Sequence, residues 1–221
     1  MFDAATVDML WQGTLETLYM TVATTVLSYL IGTPLGVLLV ITGKNGIRPM
    51  PTFNWVVGSI VNLLRSVPFL ILMITIQPFT KLVVGSTIGT NAAIVALVVS
   101  AAPFVARMVE QSLLEIDAGV IEAAQSMGAS NMQIVLKVLL PEAKPSLING
   151  ALVSATTILG YSAMAGFVGG RGLGDIAIRY GYNRYEYGIM LVTVVLLVVL
   201  VQIIQAIGTR VVRHTDKRIN N

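Results

Sequence analysis

Cysteine is absent from these 221 residues, histidine occurs once, and only 11% of the side chains are charged. Each shortage excludes something. With no thiol and a lone His214 there is no serine–histidine pair in the apolar region and no zinc cluster. No other nucleophile–base set stands out, which argues against an intramembrane enzyme. The missing cysteines do not fix a redox compartment, because a membrane protein needs no disulfide staple. Acidic residues are missing from Thr17 to Ala106. An ion-coupled carrier or channel would need intramembrane carboxylates or a selectivity ring. The net charge of +3 is too small, and the basic residues too dispersed, for nucleic-acid binding. The nearest thing to a nucleotide motif, Gly43-Lys44-Asn45, has Leu38 where a P-loop needs its first Gly, and no Ser or Thr follows the Lys. If ATP is used, another chain binds it. The first basic residue is Lys44, so no charged n-region of a cleaved signal peptide is expected.

What is present is apolar sequence, at 55% hydrophobic residues and a mean hydropathy of +0.81. Soluble domains average about 25% charged residues. The expectation is an all-α polytopic membrane protein forming one domain over 1–221. A spanning helix needs about 20 mostly apolar residues, and runs of that size fall near 17–41, 53–76, 88–106, 146–166 and 188–208. The last contains 14 Ile, Leu or Val, worth roughly −6 kcal/mol together on an insertion scale. The second carries Arg65 near its middle, at about +2.5 to +3.5 kcal/mol. Five spans put the termini on opposite sides. With the N-terminus outside, the inner segments hold Lys44, Arg48, Arg107, Lys137, Lys144, Arg210, Arg213, Lys217 and Arg218, and the outer ones Lys81, Arg171, Arg179 and Arg184. That asymmetry favours a cytoplasmic C-terminus. No fixed-period repeat is visible, and five spans cannot form two inverted halves. A homodimer would supply a pathway between two copies.

The polar segment 110–145 interrupts the apolar runs and is expected in the cytoplasm. Asp117 can cap a short helix with Glu122 near its start, and Ala123 and Ala124 keep one face flat and favour helix. Gly128 fits a left-handed C′ position. Ser130-Asn131-Met132-Gln133 has capping-box spacing and opens a second helix expected to stop at Pro141. Val120, Ile121, Ala124 and Met127 form an apolar stripe. By physics alone this is an amphipathic helix lying on the membrane surface, a cytoplasmic connector packed on its own spans, or a docking element.

Glu122-Ala123-Ala124, Gly128 six residues after the Glu, and the closing Leu140-Pro141 resemble the EAA loop of bacterial ATP-driven (ABC) importer permeases. The pattern departs at Val138, where Ile is usual. Further runs resemble the methionine-uptake permeases of that family: Leu64-Arg65-Ser66-Val67-Pro68-Phe69, the stretch 101–110, Gly160-Tyr161-Ser162-Ala163-Met164-Ala165-Gly166, and Gly172-Leu173-Gly174 followed by Tyr180-Gly181-Tyr182. The likeness implies a type I importer in the bacterial inner membrane. It implies two copies of this chain, two cytoplasmic ATPases holding ATP and Mg, and an outer substrate-binding lipoprotein. This chain would carry no cofactor. Glu122, Ala123, Ala124, Met127, Gly128, Leu140 and Pro141 would couple to the ATPase, and the cargo would be L- and D-methionine or, alternatively, another amino acid or small polar solute.

Candidate pathway or gate residues are Arg65, Pro68, Tyr161, Ser162 and Met164. Arg65 is open to two readings, a pathway charge or a donor to the Leu64 carbonyl that Pro68 leaves unpaired. Tyr161, Ser162 and Met164 could seal a pathway or simply pack, although a flexible thioether suits a seal. Ser154, Thr156 and Thr157 fit helix–helix hydrogen bonding. Arg171, Asp175, Arg179, Arg184 and Glu186 give the outer loop mixed charge, available to the lipoprotein or to water.

Overall fold

The computed structural model describes residues 3–215, so Lys217 and Arg218 of the charge asymmetry lie outside the described residues. The chain is helical in every regular segment described. Helix α1 (Ala4–Thr42) has 39 residues, about 58 Å at 1.5 Å per residue, against a hydrocarbon core of about 30 Å. The expected first span, 17–41, lies within this helix, which starts 13 residues earlier than expected, at Ala4 instead of Thr17. Asp8, Gln12 and Glu16 are good enough helix residues to extend it, and Leu10 and Met9 pack inside. Asp3 caps its start. The carboxylate accepts from the Thr6 hydroxyl at 2.6 Å and the Thr6 amide at 2.9 Å, and these bonds hold it below its usual range.

The second expected span, 53–76, is not one helix. It divides into α2 (Pro51–Ser66) and α3 (Phe69–Thr75), bent by 102°. Pro68 has no N–H to offer Leu64, and its ring disfavours helical geometry at Val67. A short α4 (Gln77–Val84) follows. Helices α5 (Thr90–Leu114), α9 (Lys144–Ala165) and α11 (Tyr187–Thr215) are, with α1, long and apolar enough to cross a membrane. Among the described residues the count is four candidate spans, or five with the broken pair. Between α5 and α9 lie α6 (Ala118–Ser126), α7 (Asn131–Ile134), a π-helical turn (Val135–Leu139) and α8 (Leu140–Glu142). Before α11 comes α10 (Leu173–Ile176) with a second π-turn (Ala177–Tyr182).

Contacts divide the chain into two compact units. The first comprises 3–27, Val67–Ala101 and Ser154–Ala206. One of its clusters packs Met20, Phe69, Met73, Ala93, Leu97 and Ala165, and another packs Leu10, Leu159, Leu173, Ile176 and Ile189. Gly174 lies directly against the Ala163 backbone carbonyl, leaving no room for a Cβ. The second comprises Ser28–Ser66, Ala102–Val153 and the residues from Ile207. Its core joins Val105, Val109 and Leu113 of α5 to Ala124 of α6, Ile134 of α7 and Leu139. Gly36 lets α1 approach α5 there, for a Cβ would meet Val109 Cβ at 2.7 Å. Large apolar side chains also face outward, among them Val22, Val26 and Leu30 of α1 and Leu191, Val195 and Val198 of α11. A soluble surface would not tolerate such rows, whereas helices facing lipid require them.

Candidate functional site

Segment 110–145 is built largely from its own local signals. Asp117 caps α6, its carboxylate accepting from the Gly119 amide at 2.7 Å. Glu122 is the fifth residue of α6 and not in its first turn, because the cap fixes the start at Ala118. The expected apolar stripe is buried along one edge only. Ala124 is buried and Ile121 half-buried, while Val120 is 43% and Met127 81% exposed. At 100° per residue the four positions fan over a broad arc, and only the Ile121–Ala124 edge meets the α5 core.

Gly128 ends α6 in the left-handed region at φ 77°. Its amide donates to Gln125 O at 2.9 Å and the Ala129 amide to Ala124 O at 3.1 Å. That is the paired Schellman arrangement, and Ala129 packs against the apolar cluster that contains Ala124. Ser130 and Gln133 form the reciprocal capping box that opens α7.

The helix does not stop at Pro141, contrary to expectation. The turn widens to π geometry over Val135–Leu139, the Leu140 amide reaches back to Val135 O, and Pro141 sits in the first turn of α8, where no N–H is required of it. The run ends at Ala143. Glu122, Ala123, Met127, Gly128 and Pro141 are exposed, Leu140 is half-buried, and Ala124 is covered.

The pathway candidates fall in different surroundings. Arg65 and Pro68 flank the break and are exposed. The Ser66 hydroxyl turns back to Asn62 O at 2.8 Å. Phe69, beside Pro68, stacks on Tyr161 with centroids 5.0 Å apart and planes at 7°, so the structure joins α3 to α9 through a pairing that the sequence did not indicate. Ser162 is buried and donates to Leu159 O at 2.7 Å, which occupies its hydroxyl. Met164 is 44% exposed.

Arg171, Asp175, Arg179 and Arg184, expected in the outer loop, have partners in the structure. Glu16 accepts from the Gly172 amide at 3.1 Å and pairs with Arg171 at 3.5 Å, and Thr17 Oγ1 accepts from the Leu173 amide at 2.9 Å. Arg179 pairs with Asp175 at 2.8 Å, and Arg184 lies over the Tyr180 ring at 4.6 Å. Counting Arg107 only as an inner charge missed its chemistry. It donates to Glu110 Oε2 at 2.6 Å, Asn62 Oδ1 at 3.0 Å and Gly58 O at 3.1 Å. The Arg107–Glu110 spacing at the end of an apolar run was a readable sign of the first of these.

The sequence pattern of the family described as binding-protein-dependent transport system inner membrane component matches residues 32–221. The chain is 54% identical over 211 residues to the probable D-methionine transport system permease protein MetI of Vibrio cholerae, covering 96% of this chain and 94% of that one. It is 46% identical to the methionine import system permease protein MetP of Bacillus subtilis, covering 95% and 94%. Its fold matches a chain of the inward-facing MetNI methionine ABC transporter with a TM-score of 0.96 at 48% identity, over 98% of this chain and all of that one. An amino acid ABC transporter solved with histidines shares the fold at TM-score 0.78 and 18% identity. This chain belongs to the family of binding-protein-dependent transport system inner membrane components.

Proposed function

We propose that this chain is the permease subunit of an ATP-driven importer that carries methionine, in L and D form, across the bacterial cytoplasmic membrane. Two copies form the pathway, two cytoplasmic ATPases hold ATP and Mg, and an outer lipoprotein delivers the solute. The observation that carries the reading is the capped α6 in a chain so similar to methionine permeases. Two well-formed ends make α6 a stiff unit, its Ile121–Ala124 edge is fastened to α5, and Val120, Ala123 and Met127 remain outside. An exposed apolar helix face suits a groove on a partner. With the N-terminus outside and the C-terminus inside, α6 faces the ATPases. Their closure would then move the spans as a rigid-body switch, with Glu122, Ala123, Ala124, Met127, Gly128, Leu140 and Pro141 as the coupling surface. Arg65, Pro68, Tyr161, Ser162 and Met164 are the proposed pathway and gate residues, with Met164 offering an exposed thioether.

The test is uptake of labelled methionine by cells lacking other routes, competed with D-methionine and with other amino acids. Uptake inhibited by D-methionine supports the cargo assignment. Entry of another amino acid in place of methionine refutes it.

A further inference from the structure

We propose that Arg107 is a positioning residue that makes α2 travel with α5, and through α5 with α6, during transport; this rests on the importer reading above. Helix α2 is fastened unusually lightly. Of its 16 residues only Gly58 and Val61 are buried, so apolar packing does little to hold it. Polar bonds do the rest. At its start, Asn54 Nδ2 donates to Leu39 O at 2.7 Å and to Thr42 Oγ1 at 3.0 Å, which ties α2 to the end of α1.

At its centre the tie is Arg107. Nη2 reaches across to both the Gly58 carbonyl and the Asn62 amide oxygen, while Nη1 is paired with Glu110 within α5. Nε is buried without a partner, so the guanidinium is held by its terminal nitrogens alone. Gly58 is part of the fit, because a Cβ there would sit 3.3 Å from Nη2. A planar fork with fixed donors can bridge two helices in this way, and a lysine point charge cannot reproduce it. Such a charge near a membrane is costly and is kept where it serves a function.

The other side of α5 completes the link. Val105, Val109 and Leu113 are fully buried against a core that includes Ala124 of α6 and Ile134 of α7. A push on α6 therefore reaches α5 through close-packed apolar contact, which transmits strain. From α5 to α2 it passes through Arg107. Coupling by a packed chain of this kind is a physical claim that needs a direct test.

The chain has no cysteine, so two can be introduced cleanly. Spin labels at exposed Ile60 of α2 and Gln111 of α5, with one labelled copy per assembled complex, report the α2–α5 distance without any cargo. In the otherwise unaltered complex the distance should be the same in the nucleotide-free and ATP-trapped states. Arg107→Met should make it differ between those states. In liposomes the same variant should lower methionine taken up per ATP hydrolysed by about five- to tenfold at normal assembly, since Asn54 still holds α2. Arg107→Lys should recover part of that loss. Where Arg107→Met does not assemble, Asn62→Leu carries the test, because it leaves the pair within α5 intact. The proposal is overturned if the unaltered distance shifts with nucleotide, or if uptake per ATP in the variant matches the parent. If the unaltered complex fails to import methionine, the cargo reading falls while the distance measurement still decides the clamp.

Discussion

Gly128 gives the sharpest handle on segment 110–145. A Cβ added there would meet nothing within 4 Å, so substitution carries no clash and its cost is set by backbone alone. At φ 77° an L-residue pays about 1–2 kcal/mol for the left-handed region, and a β-branched residue pays at the upper end of about 1–3 kcal/mol. Asn tolerates this region and loses less. The expected order is therefore Gly, Asn, Ala, Val. What the strain opposes is the pair of bonds from Gly128 and Ala129 to Gln125 O and Ala124 O. Relief comes by opening the end of α6. With a factor of about ten for each 1.4 kcal/mol, the Gly128 and Ala129 amides should exchange roughly ten times faster in Gly128→Ala, and faster still in Gly128→Val. Hydrogen exchange on the purified protein in detergent measures this directly. In the assembled importer Gly128→Val should also hydrolyse ATP with little uptake, since a frayed α6 no longer transmits force. Equal protection in the Gly, Ala and Val proteins would refute the backbone argument, and so would Asn behaving as badly as Val.

Three further outcomes are expected. Gly174→Ala forces a Cβ onto the Ala163 carbonyl, where neither backbone can yield; a loss of at least about 1–3 kcal/mol should appear as a lower melting temperature in detergent. A double-mutant cycle with Phe69→Leu and Tyr161→Leu should return a coupling of about 0.5–1.5 kcal/mol for the stack joining α3 to α9, and a value near zero would mean that the two rings pack independently. The Asp3 carboxyl is held low chiefly by the Thr6 hydroxyl and then by the Thr6 amide, so its cap is fully formed above the ordinary carboxylate range. Protection of the Thr6 amide should persist at neutral pH and be lost as pH falls through the depressed value, a dependence that Asp3→Asn removes.

Much of segment 110–145 was legible because its signals are local. The Asp117 cap, the Gly128 turn and the Ser130–Gln133 box each act within five residues, and such signals survive in a single sequence. Hydropathy located the four long helices for the same reason, since each must satisfy its own backbone in lipid. The departures from expectation have local causes. Pro68 frees the Leu64 carbonyl, but its effect on Val67 is enough to break the whole span. Pro141 suggests a helix stop by its missing N–H, but one widened π-turn places it where that missing N–H costs nothing. The extension of α1 below Thr17 escaped a hydropathy window because Asp8, Gln12 and Glu16 dilute it.

Arg107 marks a different limit. Its partners Asn62 and Gly58 lie 45 and 49 residues away, and neither is unusual in its own run. Periodicity reports which face of a helix is apolar and is blind to which donor meets which acceptor across two helices. Only the fold makes that pairing readable. The same reasoning separates the two kinds of polar residue in these spans. Ser162 bonds to a carbonyl three residues back in its own helix, so its place in an apolar run needs no second helix. Arg107 pairs within its own helix through Nη1, but Nη2 finds its acceptors only on α2, which ties α2 to α5 by a polar link that periodicity cannot reveal.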